Sequence, residues 1–218
     1  MATHFGSSLV YIGILVPMTI IVPISLSVIK FKQLPKELKI IALYLCSSGL
    51  SNFISKVLAD FSINNLPLAH LYTVVEFGII CFFYYNLLAS KKIKKYIPYI
   101  FISFFAVCVI NALFFQPIFH YNTYTKPIEA ILVIGLAISY LLQLLEDFDR
   151  VIKNNVELIY INSGFLLYFS GSFVLFTIFN IFVRNTAVAF AILDVHATIL
   201  LFMYILFTIA LWKFKNER

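Results

Sequence analysis

Several polar and ionisable side chains interrupt the long apolar runs of this sequence, and their spacing places some of them on shared helix faces. In one run Ser48, Asn52, Lys56 and Asp60 recur every fourth residue, which forms a single ridge on a helix. An ammonium and a carboxylate at this spacing can pair with each other. The ammonium can instead bind the carboxylate or phosphate of a ligand. The ridge therefore faces either a cavity or another helix rather than lipid.

The following run carries His70 near its start and Glu76 roughly 12 Å below it, at 1.5 Å per residue. Glu76 is a buried acceptor at the depth of Lys56, so we take Lys56 as its candidate cross-helix partner. Tyr72 shares the face of Glu76 because the two are four residues apart. We expect one polar pocket, with helix-packing ion pairs as the alternative. Its predicted ligand-binding residues are Asn52, Lys56, Asp60, His70, Tyr72, Glu76, Glu129, Asp194 and His196.

Some of these residues belong to types that bind metals, but their spacing is unfavourable for a metal site. His70 and Glu76 differ by about 240° around a helix, and Asp194 and His196 by about 200°. A metal would need one ligand from each of three or four helices. We therefore predict neither a metal, nor a cofactor, nor a catalytic residue, and an enzyme is a less favoured reading than a binding protein.

The elements that must position these side chains are apolar runs of membrane-spanning length. The chain is 62% hydrophobic and 12% charged with a mean hydropathy of +0.97, whereas soluble domains carry about 25% charged residues. About 20 apolar residues span a bilayer as a helix. The sequence thus predicts an all-α bundle of seven transmembrane helices in a single domain. The predicted runs are 7–29, 40–61, 68–88, 97–115, 127–145, 158–182 and 189–212.

The basic residues are strongly biased to one side of these runs. The gaps on one side hold thirteen of the sixteen Lys and Arg residues, the opposite gaps hold Lys126 and Arg184, and Lys56 lies within a run. The thirteen are Lys30, Lys32, Lys36, Lys39, Lys91, Lys92, Lys94, Lys95, Arg150, Lys153, Lys213, Lys215 and Arg218. Because Lys and Arg accumulate in cytoplasmic loops, we expect the amino terminus outside and the carboxyl terminus in the cytoplasm. The net charge of +6 then lies beside lipid headgroups, so nucleic acid is not an expected partner.

One short segment carries a resemblance. The stretch from Asn65 to His70, with Tyr72 and Glu76 behind it, resembles uncharacterised seven-helix bacterial inner-membrane proteins related to the membrane input modules of sensor histidine kinases. The resemblance implies a multi-pass protein of the inner (plasma) membrane that senses a ligand. The sequence contains no output domain, so we expect a signalling or complex partner in the membrane.

The leading hypothesis is a receptor-like or sensory membrane protein that binds a small molecule or a lipid headgroup from outside. A small secondary transporter is the first alternative, because Leu43–Gly49 faintly echoes Ile159–Gly164. That echo fits two three-helix units joined by a fourth helix, a plan found in transporters. A membrane-embedded enzyme that modifies lipid is a further alternative, and a structural subunit is also open.

Overall fold

The computed structural model of this chain describes residues 7–146, 156–182 and 186–214, without the side chains of Asn180 and Ile181. The described residues are helical apart from short connections, and they contain seven helices long and apolar enough to cross a membrane. The helices are α1 (Ser7–Lys30), α2 (Lys36–Asp60), α3 (Leu66–Leu87), α4 (Lys91–Phe115), α5 (Thr125–Glu146), α6 (Val156–Phe182) and α7 (Thr186–Lys213). The predicted all-α fold with seven helices of spanning length is confirmed.

Two helices begin well before the apolar runs that predicted them. α2 begins at Lys36 after the extended residue Pro35, and α4 begins at Lys91 after Ser90. The Ser90 hydroxyl accepts a hydrogen bond from the backbone N–H of Ile93, which is the usual contact of a helix N-cap. Lysines that the sequence placed in loops therefore lie in first helical turns. The loop cations Arg150, Lys153 and Arg184, and the tail cations Lys215 and Arg218, lie outside the described residues.

Six of the helices form a closed ring. α1 packs against α2 and α7, and the ring continues through α3, α5 and α6 back to α7. α4 lies outside this ring, where it packs on α3 and, less extensively, on α5. The first and last helices are therefore neighbours, and α4 is the most peripheral element.

One end of the bundle, which we call the histidine end, carries the connections 61–65 and 116–124. Asn64 Nδ2 donates to the carbonyl of Phe119 at 3.3 Å, and His70 Nε2 lies 3.0 Å from the carbonyl oxygen of His120. These two bonds hold the connections together.

The opposite end, which we call the lysine end, carries the connections 31–35 and 88–90. The backbone N–H of Ala89 donates to Gln143 Oε1 at 2.6 Å, which ties the start of α4 to α5. Lys30 Nζ donates to three carbonyls at the end of α7, at 2.8–3.0 Å. Charged donors of this kind satisfy helix-terminal carbonyls that have no partner within the helix.

Aromatic side chains fill the middle of the ring. Phe165 is fully buried, and its ring lies 5.3 Å from that of Tyr44, 5.1 Å from that of Phe207 and 6.3 Å from that of Tyr84. The first two contacts are edge-to-face, the arrangement that the quadrupoles of aromatic rings favour. Phe165 therefore contacts both Tyr44 and Tyr84, whose hydroxyls belong to two different polar groups described below.

Candidate functional site: a lysine between two buried carboxylates

A partly buried lysine joins two buried carboxylates inside the ring. Lys126 Nζ lies 2.8 Å from Glu76 Oε2 and 2.9 Å from Glu129 Oε2. The two carboxylate side chains are 3% and 0% exposed, and the lysine side chain is 17% exposed. Tyr44 donates its hydroxyl to Glu76 Oε1 at 2.9 Å. We call these four residues the charge cluster.

Three helices bring the charge cluster together. Lys126 and Glu129 are three residues apart in the first turns of α5, so they share one face of that helix and pair locally. Glu76 comes from α3 and Tyr44 from α2. The lysine therefore links α5 to α3, and the tyrosine links α3 to α2, through hydrogen bonds that involve ionised groups and are stronger than neutral ones.

The charge of the cluster depends on whether both carboxyl groups are ionised, because they share one ammonium. With both carboxyl groups ionised, two negative charges share one ammonium, which leaves one excess negative charge. Glu129 Oε1 is buried and has no hydrogen-bond partner among the described residues, and we call this atom the open acceptor. A buried ion without full compensation costs several kcal/mol in proteins. The arrangement therefore has capacity for one further positive or hydrogen-donating group.

Further aromatic and imidazole side chains lie within electrostatic range of the charge cluster. Tyr72, Tyr168 and Tyr204 all lie close enough to Glu76 to interact with it electrostatically, and His196 lies in the same range of Lys126. The buried Tyr72 hydroxyl and His196 Nε2 also lack hydrogen-bond partners within the described part of the chain. The surroundings thus offer further polar atoms to a guest.

A cleft of about 150 Å³ at the histidine end leads toward this region. His70, Cys108, Asn122 and Thr125 are among the residues that line it. Thr125 lies four residues before Glu129 on α5, so the two share a helix face. Cys108 lies within electrostatic range of both Glu129 and Lys126. The cleft therefore shares helices α3 and α5 with the charge cluster, whose four residues do not line it.

Polar bonds fix the wall of this cleft. Asn122 Nδ2 donates to Thr73 Oγ1 at 3.1 Å, and the Thr125 hydroxyl donates to Asn122 Oδ1. Thr73 in turn donates to the backbone carbonyl of Ala69. Asn122, Thr73 and Thr125 are all buried, so the connection 116–124 is held against α3 by satisfied polar groups.

The structure places Lys56 apart from Glu76. Lys56 pairs with Asp60 of its own helix, and the two side chains are 48% and 60% exposed. The prediction that Lys56 is the partner of Glu76 is wrong, because Lys126 occupies that position. Asn52 and Lys56 instead line an apolar groove of about 420 Å³ between α1 and α2.

The geometry of the helix explains this difference. Positions four residues apart advance by about 400°, so a ridge of such positions turns by about 40° per step. Ser48 still faces the ring, where its hydroxyl lies 3.2 Å from that of Tyr204. Two steps later Lys56 has turned by about 80° and faces the groove. The predicted ridge is thus continuous in spacing, but its two ends face different surroundings.

The other residues predicted to bind a ligand lie at different places in the bundle. Asp194 Oδ2 accepts a hydrogen bond from Ser8 at 2.8 Å, which ties α7 to α1. The ring of His196 packs against those of Tyr168 and Phe176, with centroids 5.4 and 5.1 Å apart. His70 lines the cleft. The structure therefore brings Glu76 and Glu129 into the cluster with Tyr72 and His196 near it, and places Lys56, Asp60 and Asp194 elsewhere. Asn52 lines the groove and also interacts with Tyr204.

Sequence reasoning missed two members of the charge cluster, Lys126 and Tyr44. The sequence predicts that Lys126 lies in an outer connection, because it precedes the apolar run 127–145 by one residue. The available signal was its spacing of three from Glu129 at a helix start, which permits a local ion pair. A tyrosine in an apolar run gives no comparable signal.

A second polar group lies near the lysine end, where α3 ends and α6 begins. The Tyr84 hydroxyl donates to Asn162 Oδ1 at 2.8 Å, and Asn162 Nδ2 donates to the carbonyl of Ala137 at 3.3 Å. Tyr84 and Asn162 are fully buried. We call them the amide pair, and they join α3, α6 and α5 through satisfied hydrogen bonds.

Within the described ranges, no group of three or more His, Cys, Asp or Glu side chains is placed to hold a metal ion. Comparison with protein-family models, with curated proteins and with solved structures finds no match for this chain. The geometry of the charge cluster and its cleft is therefore the basis for the function considered next.

Proposed function

We propose that this protein is a receptor-like or sensory protein that crosses the inner (plasma) membrane several times and binds a small molecule or a lipid headgroup. In this proposal the amino terminus and the histidine end face outside. Its support is the one-sided distribution of Lys and Arg, which favours a cytoplasmic lysine end. The cleft beside His70 then opens to the external medium.

The observation that carries the proposal is the incomplete pairing of the charge cluster. A purely structural ion pair in an apolar bundle is expected to be balanced, because unpaired buried charge is costly. Here Lys126 bonds to two carboxylates, and the open acceptor has no hydrogen-bond partner among the described residues. A ligand with a positive or donating group supplies the missing interaction.

Binding at this point has a route to the rest of the bundle. Lys126 is shared by Glu76 of α3 and Glu129 of α5. A ligand whose positive or donating group binds Glu129 competes with Lys126 for this carboxylate and strengthens the bond between Lys126 and Glu76. Ligand binding thereby changes the attraction between α3 and α5, and a signal requires that the two arrangements bind the ligand with different affinity.

Native mass spectrometry of the full chain in mild detergent tests the proposal. We expect a stoichiometric bound mass in the wild type and in Asp60→Asn, whose carboxylate is exposed and remote from the cluster. Glu76→Gln, which removes one charge of the cluster, should lose that mass. A bound mass that persists unchanged in Glu76→Gln contradicts a ligand site at the cluster.

A small secondary transporter is the second candidate, and the position of α4 favours it. A helix outside the ring can join α1–α3 to α5–α7, as the transporter plan requires, although α1 also packs on α7. Phe165 contacts both Tyr44 of the charge cluster and Tyr84 of the amide pair, so the two polar groups border the same aromatic side chain. Uptake by proteoliposomes that is abolished in Glu76→Gln would decide for transport.

A further inference from the structure

We propose that the groove between α1 and α2 holds one zwitterionic phospholipid whose head carries a phosphate and a primary ammonium, as phosphatidylethanolamine does. One acyl chain lies in the groove, Lys56 binds the phosphate, and Asp60 binds the ammonium. This site goes beyond the proposed function, because it is separate from the charge cluster and none of the four cluster residues lines it.

The groove is apolar and open to the outside of the ring. Met18, Ile21 and Phe53 line it and are each more than half exposed, whereas Ile20 also lines it and is buried. Its volume of about 420 Å³ lies within the range of about 300–1,000 Å³ that ligand sites occupy. A groove of this size left empty would lose dispersion contacts, which an acyl chain from the surrounding bilayer supplies.

The length of the groove matches one leaflet of a bilayer. Its lining residues on α1 run from Gly13 to Ile24, a distance of about 16 Å at 1.5 Å per residue. The hydrocarbon core of a bilayer is about 30 Å thick, so the chains of one leaflet extend over about 15 Å. One acyl chain can therefore follow the groove from end to end.

Two glycines leave room in the groove, one on each helix. A Cβ added at Gly13 would meet nothing within 4 Å, and one added at Gly49 would stand 3.0 Å from Cδ1 of Ile24. Gly13 also lies in a π-helical turn, Tyr11–Leu15. Such turns are rare and occur frequently at functional sites. The wall formed by α1 is therefore irregular at the end of the groove that faces the histidine end.

An ion pair stands at this same end of the groove. Lys56 lines the groove, and Asp60, which does not line it, follows one turn later as the last residue of α2. The ammonium of Lys56 bonds to Oδ1 of Asp60, and the two side chains are 48% and 60% exposed. An ammonium has three donors and a carboxylate accepts at two oxygens, so each group has capacity for a second partner. Because exposed pairs contribute little to stability, a guest can extend or open this pair at low cost.

The order of the charges fits a zwitterionic head. In such a lipid the phosphate lies next to the glycerol that carries the chains, and the ammonium lies beyond it. Lys56 borders the groove, and Asp60 lies about 6 Å farther along α2 at 1.5 Å per residue, so the protein presents the opposite charges in the same order. Asn52 lines the groove one turn deeper, where its amide can donate to an ester of the lipid.

The same geometry disfavours two other common heads. The head of phosphatidylglycerol is anionic and brings no cation to Asp60. The quaternary ammonium of phosphatidylcholine has the right charge but no N–H, so it cannot donate a hydrogen bond to the carboxylate. A primary ammonium supplies both the charge and the donors, and such charge-assisted hydrogen bonds are stronger than neutral ones.

Native mass spectrometry of the full chain in mild detergent tests the inference. The three lipids, with identical deuterated acyl chains, are titrated separately, so that an added lipid differs in mass from any lipid that copurifies. We expect one phosphatidylethanolamine per chain. Its half-saturation should require about a fivefold lower concentration than that of either other lipid, the effect expected of one exposed ion pair.

Matched variants locate the lipid. Gly13→Leu places a side chain in the groove and should raise the concentration of phosphatidylethanolamine needed for half-saturation at least about tenfold. Gly135→Leu makes the same change at an equally open position of α5 and should leave it unchanged. Lys56→Gln removes the partner of the phosphate from an exposed position and should raise it about fivefold. This variant keeps the test decisive if Gly13→Leu does not fold.

Three results would overturn the inference. Equal binding of the three lipids, or a preference for phosphatidylglycerol, would mean that the pair does not recognise a zwitterionic head. Undiminished binding in both Gly13→Leu and Lys56→Gln would place the lipid elsewhere. A lipid-free dimer that Gly13→Leu dissociates would identify the occupant of the groove as a second copy of this chain. The proposed function is tested separately, because a ligand of the charge cluster is lost in Glu76→Gln and retained in Gly13→Leu.

Discussion

Replacing Lys126 by Met tests whether the charge cluster holds the bundle together. The substitution removes the only group that bonds both Glu76 and Glu129 in the described structure and leaves two carboxylates side by side. Methionine is close to lysine in length and fills much of the same space. A loss in the free energy of unfolding therefore reports on the removed charge rather than on a change in side-chain volume.

The magnitude follows from burial. Removing one partner of a buried ion pair costs about 3–5 kcal/mol, because the remaining charge stays desolvated. With 3% and 0% exposure, neither carboxylate can reach water without moving a helix, so we expect a loss in the upper part of that range. Protonation of the two carboxyl groups limits the loss, since a neutral acid tolerates burial better than an ion.

The free energy of unfolding is measured by titrating SDS into the full chain in mild detergent. Lys56→Met is the matched control, because it makes the same substitution in a pair that is about half exposed. Exposed pairs contribute about 0–1 kcal/mol, so the two variants should differ by at least about 2 kcal/mol. Combining Lys126→Met with Glu76→Gln and Glu129→Gln should recover most of the loss. Equal and small effects of Lys126→Met and Lys56→Met would refute the reasoning.

Two further predictions concern packing and helix ends. Gly164→Ala should destabilise the bundle by about 1–3 kcal/mol, because a Cβ there would stand 2.7 Å from Cε1 of the fully buried Phe207. Gly135→Ala is the control and should not destabilise it, because a Cβ at Gly135 meets no described atom within 4 Å. Equal free energies of unfolding for the two variants would contradict the packing argument. Lys30→Met should raise amide hydrogen exchange in the last turn of α7 at least about tenfold, since it removes charge-assisted bonds to three carbonyls. The exposed Lys32→Met is its control, and unchanged exchange in Lys30→Met would show that α7 ends stably without these bonds.

The number of helices could be predicted from the sequence because a bilayer sets a minimum apolar length that few soluble segments reach. Where helices begin could not be predicted in the same way. Hydropathy measures the cost of entering hydrocarbon, whereas a helix continues as long as its backbone hydrogen bonds do. Lys36 and Lys91 are unfavourable in hydrocarbon and acceptable in a helical turn at its edge, so α2 and α4 extend past their apolar runs.

The candidate site was only partly predictable. Glu76 and Glu129 were identified because carboxyl groups in apolar runs are costly and rare. The sequence predicts Lys56 as the partner of Glu76 because the two lie at a similar depth. The spacing rule that puts Lys56 on one ridge with Ser48 loses the shared face over two steps, where the drift of 40° per step becomes large. Over a single turn the same rule holds, as the pairing of Lys126 with Glu129 shows. Contacts between helices, such as Tyr44 with Glu76, depend on the arrangement of the ring and have no local signal.

The residues of the charge cluster are synthesised at different times. Tyr44 and Glu76 are made first, so a hydroxyl donor can reach the carboxylate as soon as α2 and α3 meet. The lysine follows 50 residues later, a delay of about 3–10 s at 5–20 residues per second. Lys126 and Glu129 are synthesised together and can neutralise each other within α5. Glu76 of α3 has no cation to pair with until Lys126 has been synthesised. During membrane insertion, an assembly stalled before α5 therefore exposes an unpaired acid that cellular quality control can recognise.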